Sequence, residues 1–217
     1  MKYELVIFDL DGTLVDTIDD LGTAVNHALA LNGLPLHDME EYRLMVGNGV
    51  RKLVHRAMPE ALKDDPELLD RLLAEFIAYY SEHLDVRSRP YPGIPELLGR
   101  LQSAGVRLAV ASNKFQAGTD RIIARFFPGI AFGCVLGGRD GVPLKPDPSV
   151  VHEIRSACGI LPEKTAMVGD SATDMLTAKA AGICGIAVTW GFRPAEALAE
   201  CSFHAGTAGE LEALLTV

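Results

Sequence analysis

Two aspartates one residue apart, Asp9 and Asp11, end the apolar run Val6-Ile7-Phe8. A second acidic pair, Asp170 and Asp174, follows the apolar stretch "TAMVG". Between the pairs lie Ser112-Asn113, at the end of "VRLAVAS", and Lys145 in "KPDP". Asp9, Asp11 and Asp170, brought together without a counter-charge, would raise one another's pKa at a cost of several kcal/mol. A divalent cation removes that conflict. Oxygen-only donors, with no histidine or cysteine cluster nearby, favour a hard ion, Mg²⁺, which prefers substrate phosphate oxygens. Asp174, one helical turn beyond Asp170, can orient that shell from behind.

Lys145 adds a fixed positive charge, and Ser112 a hydroxyl. The turn after Ser112 offers backbone N–H groups at a helix entrance, where anions bind. Cation, lysine, hydroxyl and amides make a phosphoryl site. An aspartate there can attack phosphorus and become an aspartyl phosphate. The other, two residues away, can protonate the leaving oxygen and then deprotonate water. Gly12 keeps the turn free of a side chain, while Thr13 holds either the strand end or the phosphate.

The elements that must position these groups fall into two textures. From residue 17 to about 84 the periodicity is helical. Thr17 and Asp20 have capping-box spacing, followed by Ile18, Leu21, Val25 and Leu29 at helical intervals up to Gly33. "EEYRLMVG" and "VRKLVHRAM" read as shorter helices around "GNG". Asp65-Pro66 starts a long helix with Leu68, Leu69, Leu72, Phe76, Ile77 and Tyr80 on one face. The remainder alternates strand and helix, with nearly continuous apolar strands at "ELVIFD", "VRLAVAS", "CVLGG", "TAMVGD" and "CGIAVTW". That pattern predicts an α/β fold: a doubly wound, Rossmann-like parallel sheet covered on both faces, with an inserted helical cap domain. The expected core spans residues 1–15 and 88–217, and the cap 16–87. In such sheets ligands bind at the carboxyl ends of the strands, where the four polar segments fall.

A chain of 217 residues, 48% hydrophobic, has room for one large domain with an insert. Its net charge of −9 argues against a nucleic-acid surface and makes an anionic substrate dependent on local positive charge. No apolar run reaches membrane-spanning length, and no signal peptide is visible. Cys134, Cys158, Cys184 and Cys201 are scattered, as expected of reduced thiols in a cytoplasmic protein. The six histidines show no ligand spacing, and Trp190 reads as packing or surface loop.

With these residues in place, the sequence resembles the haloacid dehalogenase superfamily of phosphohydrolases. "DLDGT" matches the DxDGT motif, Ser112 the second-motif hydroxyl, Lys145 the third-motif lysine and "GDSATD" the GDxxxD motif, all in family order. The resemblance implies that Asp9 is nucleophile and metal ligand. It implies that Asp11 is the general acid/base and binds metal through its backbone carbonyl. Asp170 would be the third ligand and Asp174 its support. Ser112 and the Asn113 amide would hold phosphate, and Lys145 would neutralise nucleophile and phosphate. The insert after the first motif resembles the helical-cap subclass, and within it the phosphoglycolate phosphatases and their relatives.

The expected activity is Mg²⁺-dependent hydrolysis of small phosphate monoesters. The expected partner is a small phosphorylated metabolite, with no nucleic acid or membrane, and the chain a monomer or homodimer. A phosphomutase or pyrophosphatase on the same site, and a non-catalytic receiver-type switch, remain open. "VGNGVRK" is either a ligand contact, with Arg51 meeting a carboxylate, or a turn between helices.

Overall fold

A computed structural model describes residues 2–194, 198 and 201–216. Residues 1 and 217, at the ends of the expected core, lie outside the described residues. The central strand β1 (Leu5–Phe8) is Leu-Val-Ile-Phe, every side chain of it buried. Each such side chain gains about 1.5–3 kcal/mol on burial. β1 pairs in parallel with β4 (Arg107–Phe115) on one side and β6 (Thr165–Gly169) on the other. β5 (Phe132–Gly138), β7 (Cys184–Val188) and β8 (His204–Ala205) complete a six-stranded parallel sheet of order β5-β4-β1-β6-β7-β8. The chain builds outward from β1 through β4 and β5, then returns to β6. The order therefore reverses beside β1, and the crevice at a switch point is where such sheets take ligands.

Helices α5 (Ile94–Ser103), α6 (Gln116–Phe126), α7 (Ser149–Cys158), α8 (Ala172–Ala180) and α9 (Ala208–Thr216) accompany the sheet. Two core clusters form. The larger joins Val6 and Phe8 to the insert, and the smaller packs Leu5 and Ile7 against Val151 and Ile154 of α7. Opposite faces of one strand thus feed different layers, as the two-residue period requires.

The insert comprises α1 (Ile18–Leu31), α2 (Met39–Met45), α3 (Val50–Ala57) and α4 (Pro66–His83). α4 starts as its sequence predicts: Asp65 accepts from the Leu68 amide, and Pro66 occupies the first turn. Its inner face is Leu68, Leu69, Leu72, Phe76 and Tyr80, whereas Ile77 is exposed. Entry and exit of the insert are stitched by an antiparallel ribbon, β2 (Val15–Asp16) with β3 (Arg89–Pro90).

The expected capping box at α1 does not form. Thr17 makes no side-chain capping bond and gives its hydroxyl to Asp11. Asp20 is buried and accepts from the amides of Arg87 and Ser88 and from the Ser88 hydroxyl. These two residues serve the site and the ribbon, not the helix end. Asp20→Ala strands those buried donors, and unsatisfied groups of this kind cost ~1–3 kcal/mol each. The expected loss is about 2–4 kcal/mol of unfolding free energy in urea titration, with Asp20→Asn intermediate.

Candidate active site

The sheet delivers four segments to one edge. Asp9 and Asp11 follow β1, Asp170 follows β6, Ser112-Asn113-Lys114 lie within β4, and Lys145 sits in the loop between β5 and α7. β4 runs further than its apolar stretch suggests, so Ser112 and Asn113 are strand residues and not the first residues of a turn. The β4–β5 register shifts between Ala111 and Phe115, which frees this stretch from regular pairing. The Ser112 hydroxyl accepts from the Lys114 amide at 3.1 Å. Asn113 clamps the Lys145 loop, its amide nitrogen donating to the Lys145 carbonyl and its oxygen accepting from the Lys145 amide.

Lys145 is buried, with its Nζ 2.8 Å from Asp9 Oδ1 and 2.6 Å from Asp174 Oδ1. Burial opposes its charge, but the two carboxylates outweigh that and raise its pKa above the usual lysine range. Asp174 sits at the third position of α8, in a capping box with Ser171. Ser171 is the cap, so Asp170 precedes the helix and does not begin it. Both Asp174 oxygens are engaged, Oδ1 by Lys145 and Oδ2 by the Ser171 hydroxyl at 2.6 Å. Asp170 Oδ2 accepts from the Phe192 amide at 2.7 Å.

Backbone approaches closely here. Gly12 has φ +89°, and a Cβ on it would lie 2.3 Å from Asp170 Oδ2. A Cβ on Gly191 would meet the Asp170 Cβ at 2.3 Å. The two glycines leave Asp170 the space it fills.

One oxygen from each of Asp9, Asp170 and Asp174 lies within 4.8 Å of the others, and all three residues are buried. Burial first, then the Asp174 charge, raise the pKa of both Asp9 and Asp170; Asp170 is pushed up to about 7. One lysine does not neutralise three carboxylates. An all-oxygen donor set with excess negative charge fits a hard divalent cation.

Asp11 faces elsewhere. Its Oδ1 accepts from the Thr17 hydroxyl at 2.7 Å and from Lys114 Nζ at 3.1 Å, while Oδ2 is 3.3 Å from Lys114 Nζ. Thr13 is fully buried, and its hydroxyl has no partner among the described residues. Asp9, Asp11, Ser112, Asn113, Lys114 and Lys145 line one cavity of about 440 Å³, mouth included. The insert roofs it with Leu21, Val46, Gly47, Gly49, Val50 and Leu53.

Arg51 does not reach this cavity: it is exposed and paired with Asp70 at 2.7 Å. Three residues that motif reading passes over prove central. Lys114 directly follows Ser112-Asn113, and a lysine inside an otherwise buried strand was the available signal. Its partner Tyr80 looks like any apolar face residue. Arg193 of "GFRP" donates to the Arg43, Leu44 and Val46 carbonyls at the end of α2. It thereby satisfies carbonyls that a helix terminus leaves unpaired. Asn113 to the Gly47 carbonyl and Asn48 to Thr173 of α8 add two more bonds between the insert and the rest of the fold.

The family model "Haloacid dehalogenase-like hydrolase" matches residues 6–188. A phosphoglycolate phosphatase of Mesorhizobium japonicum is 38% identical over 88% of this chain and 85% of its own. Phosphoglycolate phosphatase 1 of Pseudomonas aeruginosa is 37% identical, over 90% and 73% respectively. A crystal structure from Lactobacillus delbrueckii, provisionally named a phosphoglycolate phosphatase, superposes with TM-score 0.93 at 32% identity, covering 99% of each chain.

The raised carboxyl pKa values fix a sign. The folded protein binds a proton on Asp170 more tightly than the unfolded chain, whose ordinary value is 3.8. The Asp170 contribution to metal-free stability therefore falls as pH rises from that value towards about 7, and Asp9 acts in the same direction. A divalent cation competes with those protons. Millimolar Mg²⁺ is expected to raise the melting temperature more at pH 8 than at pH 5, as thermal denaturation at both pH values will show.

Proposed function

The chain belongs to the haloacid dehalogenase-like hydrolases and is a phosphatase, and from that premise we propose that it is a Mg²⁺-dependent phosphatase of 2-phosphoglycolate-sized monoesters, with an aspartyl phosphate on Asp9. The observation that carries this reading is the shared cavity, where Asp9 and Asp11 stand with Ser112, Asn113 and Lys145 beneath a small apolar roof. Leu21, Val46, Val50 and Leu53 offer a leaving group no side-chain hydroxyl-binding partners. That disfavours a polyhydroxylated sugar, and so favours hydrolysis of a small monoester over phosphomutase chemistry. The names of the relatives point to the same substrate.

In this reading Asp9, Asp170 and the Asp11 backbone carbonyl hold the cation, which supplies charge neutralisation at the phosphoryl oxygens. Asp174, with both oxygens occupied by protein donors, holds Lys145 in place and acts from behind. Ser112, the Asn113 amide and the unpartnered Thr13 hydroxyl bind phosphate, and Lys145 keeps the attacking carboxylate and the phosphate from repelling each other. An Asp9 oxygen attacks phosphorus as the bond to the leaving oxygen breaks, and Asp11 gives that oxygen its proton. Asp11 then takes a proton from water. The water oxygen attacks phosphorus, the bond to Asp9 breaks, and phosphate leaves with the carboxylate restored. Residues 16–87 form the cap that shuts this cavity from water during the two steps.

Phosphate release from 2-phosphoglycolate, sugar phosphates, nucleotides and pyrophosphate, with and without Mg²⁺, tests the reading. A metal-dependent preference for 2-phosphoglycolate is expected. A preference for hexose phosphates, or a requirement for a hexose bisphosphate, overturns the proposed substrate. Asp9→Asn is expected to abolish turnover with circular dichroism unchanged. Lys145→Ala is expected to raise KM and lower kcat together, and a wild-type rate would remove Lys145 from the chemistry.

A further inference from the structure

Lys114 is a second buried lysine in the cavity, and neither the four motifs nor the steps above give it a task. Its side chain is 1% exposed. A buried ammonium needs charge and hydrogen bonds to offset its desolvation. Among the described residues, Asp11 is the one carboxylate within ion-pair distance, at 3.1 Å. Its other fixed partner is Tyr80 of α4. The Lys114 ammonium donates to the Tyr80 hydroxyl at 2.6 Å and stands 4.6 Å from the centroid of that ring. Tyr80 is itself held, stacked on Phe76 at 5.2 Å and edge-on to Phe115 at 6.3 Å. A lysine on a flexible four-carbon stem is thus locked in place by a residue of the insert.

The lock has a directional consequence for Asp11. Oδ1 takes two donors, Thr17 at 2.7 Å and Lys114 at 3.1 Å. Among the described residues, Oδ2 has only the longer 3.3 Å contact to Lys114. The two oxygens are therefore unequal, and Oδ2 is the one with capacity left to carry a proton. Resting on the phosphatase reading above, we propose that Lys114, braced by Tyr80, is the positioning residue for Asp11. Together with Thr17 it occupies Oδ1 and turns Oδ2 towards the leaving oxygen and, in the second step, towards water. The brace runs from α4 to β4 to Asp11, so the acid is correctly aimed only while the insert is docked on the sheet.

Three size-matched substrates separate this role from others. 2-Phosphoglycolate and 2-hydroxyethyl phosphate both release an alcohol, whose oxygen needs a proton as it leaves. Acetyl phosphate releases acetate, which needs none. Steady-state kcat/KM reports steps up to departure of the leaving group, so it isolates the protonation that Asp11 supplies. General acid catalysis contributes typically ~10²–10⁴-fold. For Lys114→Met, kcat/KM is expected to fall about 100-fold on both alcohol-releasing phosphates and less than about 10-fold on acetyl phosphate. Tyr80→Phe removes only the bracing hydroxyl and is expected to show the same ordering at smaller size. It carries the comparison should Lys114→Met not fold.

Equal loss on all three substrates overturns the positioning role and leaves Lys114 a structural or general charge. Loss confined to 2-phosphoglycolate also overturns it, making Lys114 a receptor for the substrate carboxylate. Unchanged kinetics in both variants remove Lys114 from the reaction. Wild-type inactivity on all three would instead defeat the reading of the substrate as a two-carbon phosphate, and the role proposed for Lys114 with it.

Discussion

The Lys145 ammonium, wedged between Asp9 and Asp174, is the interaction on which the rest of the site depends. Without it, three buried carboxylates would face one another across less than 5 Å. Each element that meets at this point constrains the same ion pair. Asn113 of β4 grips the Lys145 backbone from both its amide and its carbonyl. Ser171, at the start of α8, fixes the far side of Asp174. β1 holds Asp9 at the end of a strand with no exposed side chain. A buried pair of this kind gives modest net stability but is costly to break, because removing one partner leaves an uncompensated charge. The arrangement fixes geometry more than it contributes free energy, and geometry is what phosphoryl transfer requires.

The same economy governs how the insert meets the sheet. Insert and sheet share an apolar core, and around the cavity they add hydrogen bonds, most of them directed at carbonyls. Arg193 takes three at the end of α2, and Asn113 takes that of Gly47. Hydrogen bonds between surfaces exchange readily with water and cost little to separate. With these bonds formed, Leu21, Val46, Val50 and Leu53 stand over the cavity. This interface fixes how the insert sits over the cavity. It stands apart from the ribbon of β2 and β3, where buried Asp20 ties entry to exit.

Much of this was legible in the residues. Apolar continuity marked the buried strands, and 3.6-residue periodicity marked α1 and α4. The acidic pairs pointed to the strand ends because carboxylates after an apolar run are costly unless they have a task. What escaped depended on tertiary context. Thr17 and Asp20 have the spacing of a helix cap, yet stronger partners outside the helix claim both side chains. Arg51 sits beside the glycines that line the cavity, but its position on α3 turns it to Asp70 at the surface. Lys114 and Tyr80 are separated by 34 residues and meet only because α4 folds back over β4. Short strands such as β8 carry too few residues for any period to show.

An acidic protein that takes an anionic substrate needs positive charge placed locally at the site. Here two lysines are withdrawn from solvent and aimed inward, so that their effect is not screened by salt as a surface charge would be. They are also kept apart in function. Lys145 belongs to Asp9 and Lys114 to Asp11, each lysine within 3.1 Å of its own aspartate. Side chains two positions apart share one face of a regular strand, but β1 ends at Phe8 and the chain bends at Leu10, so Asp9 and Asp11 reach different partners. That bend separates the two environments. One aspartate shares its surroundings with Asp170 and Asp174, where a cation is favoured. The other is enclosed by Thr17, Lys114 and Tyr80, where hydrogen bonds to the carboxyl group decide which oxygen is free. The division of labour proposed for the two aspartates thus rests on the bend by which the chain leaves β1.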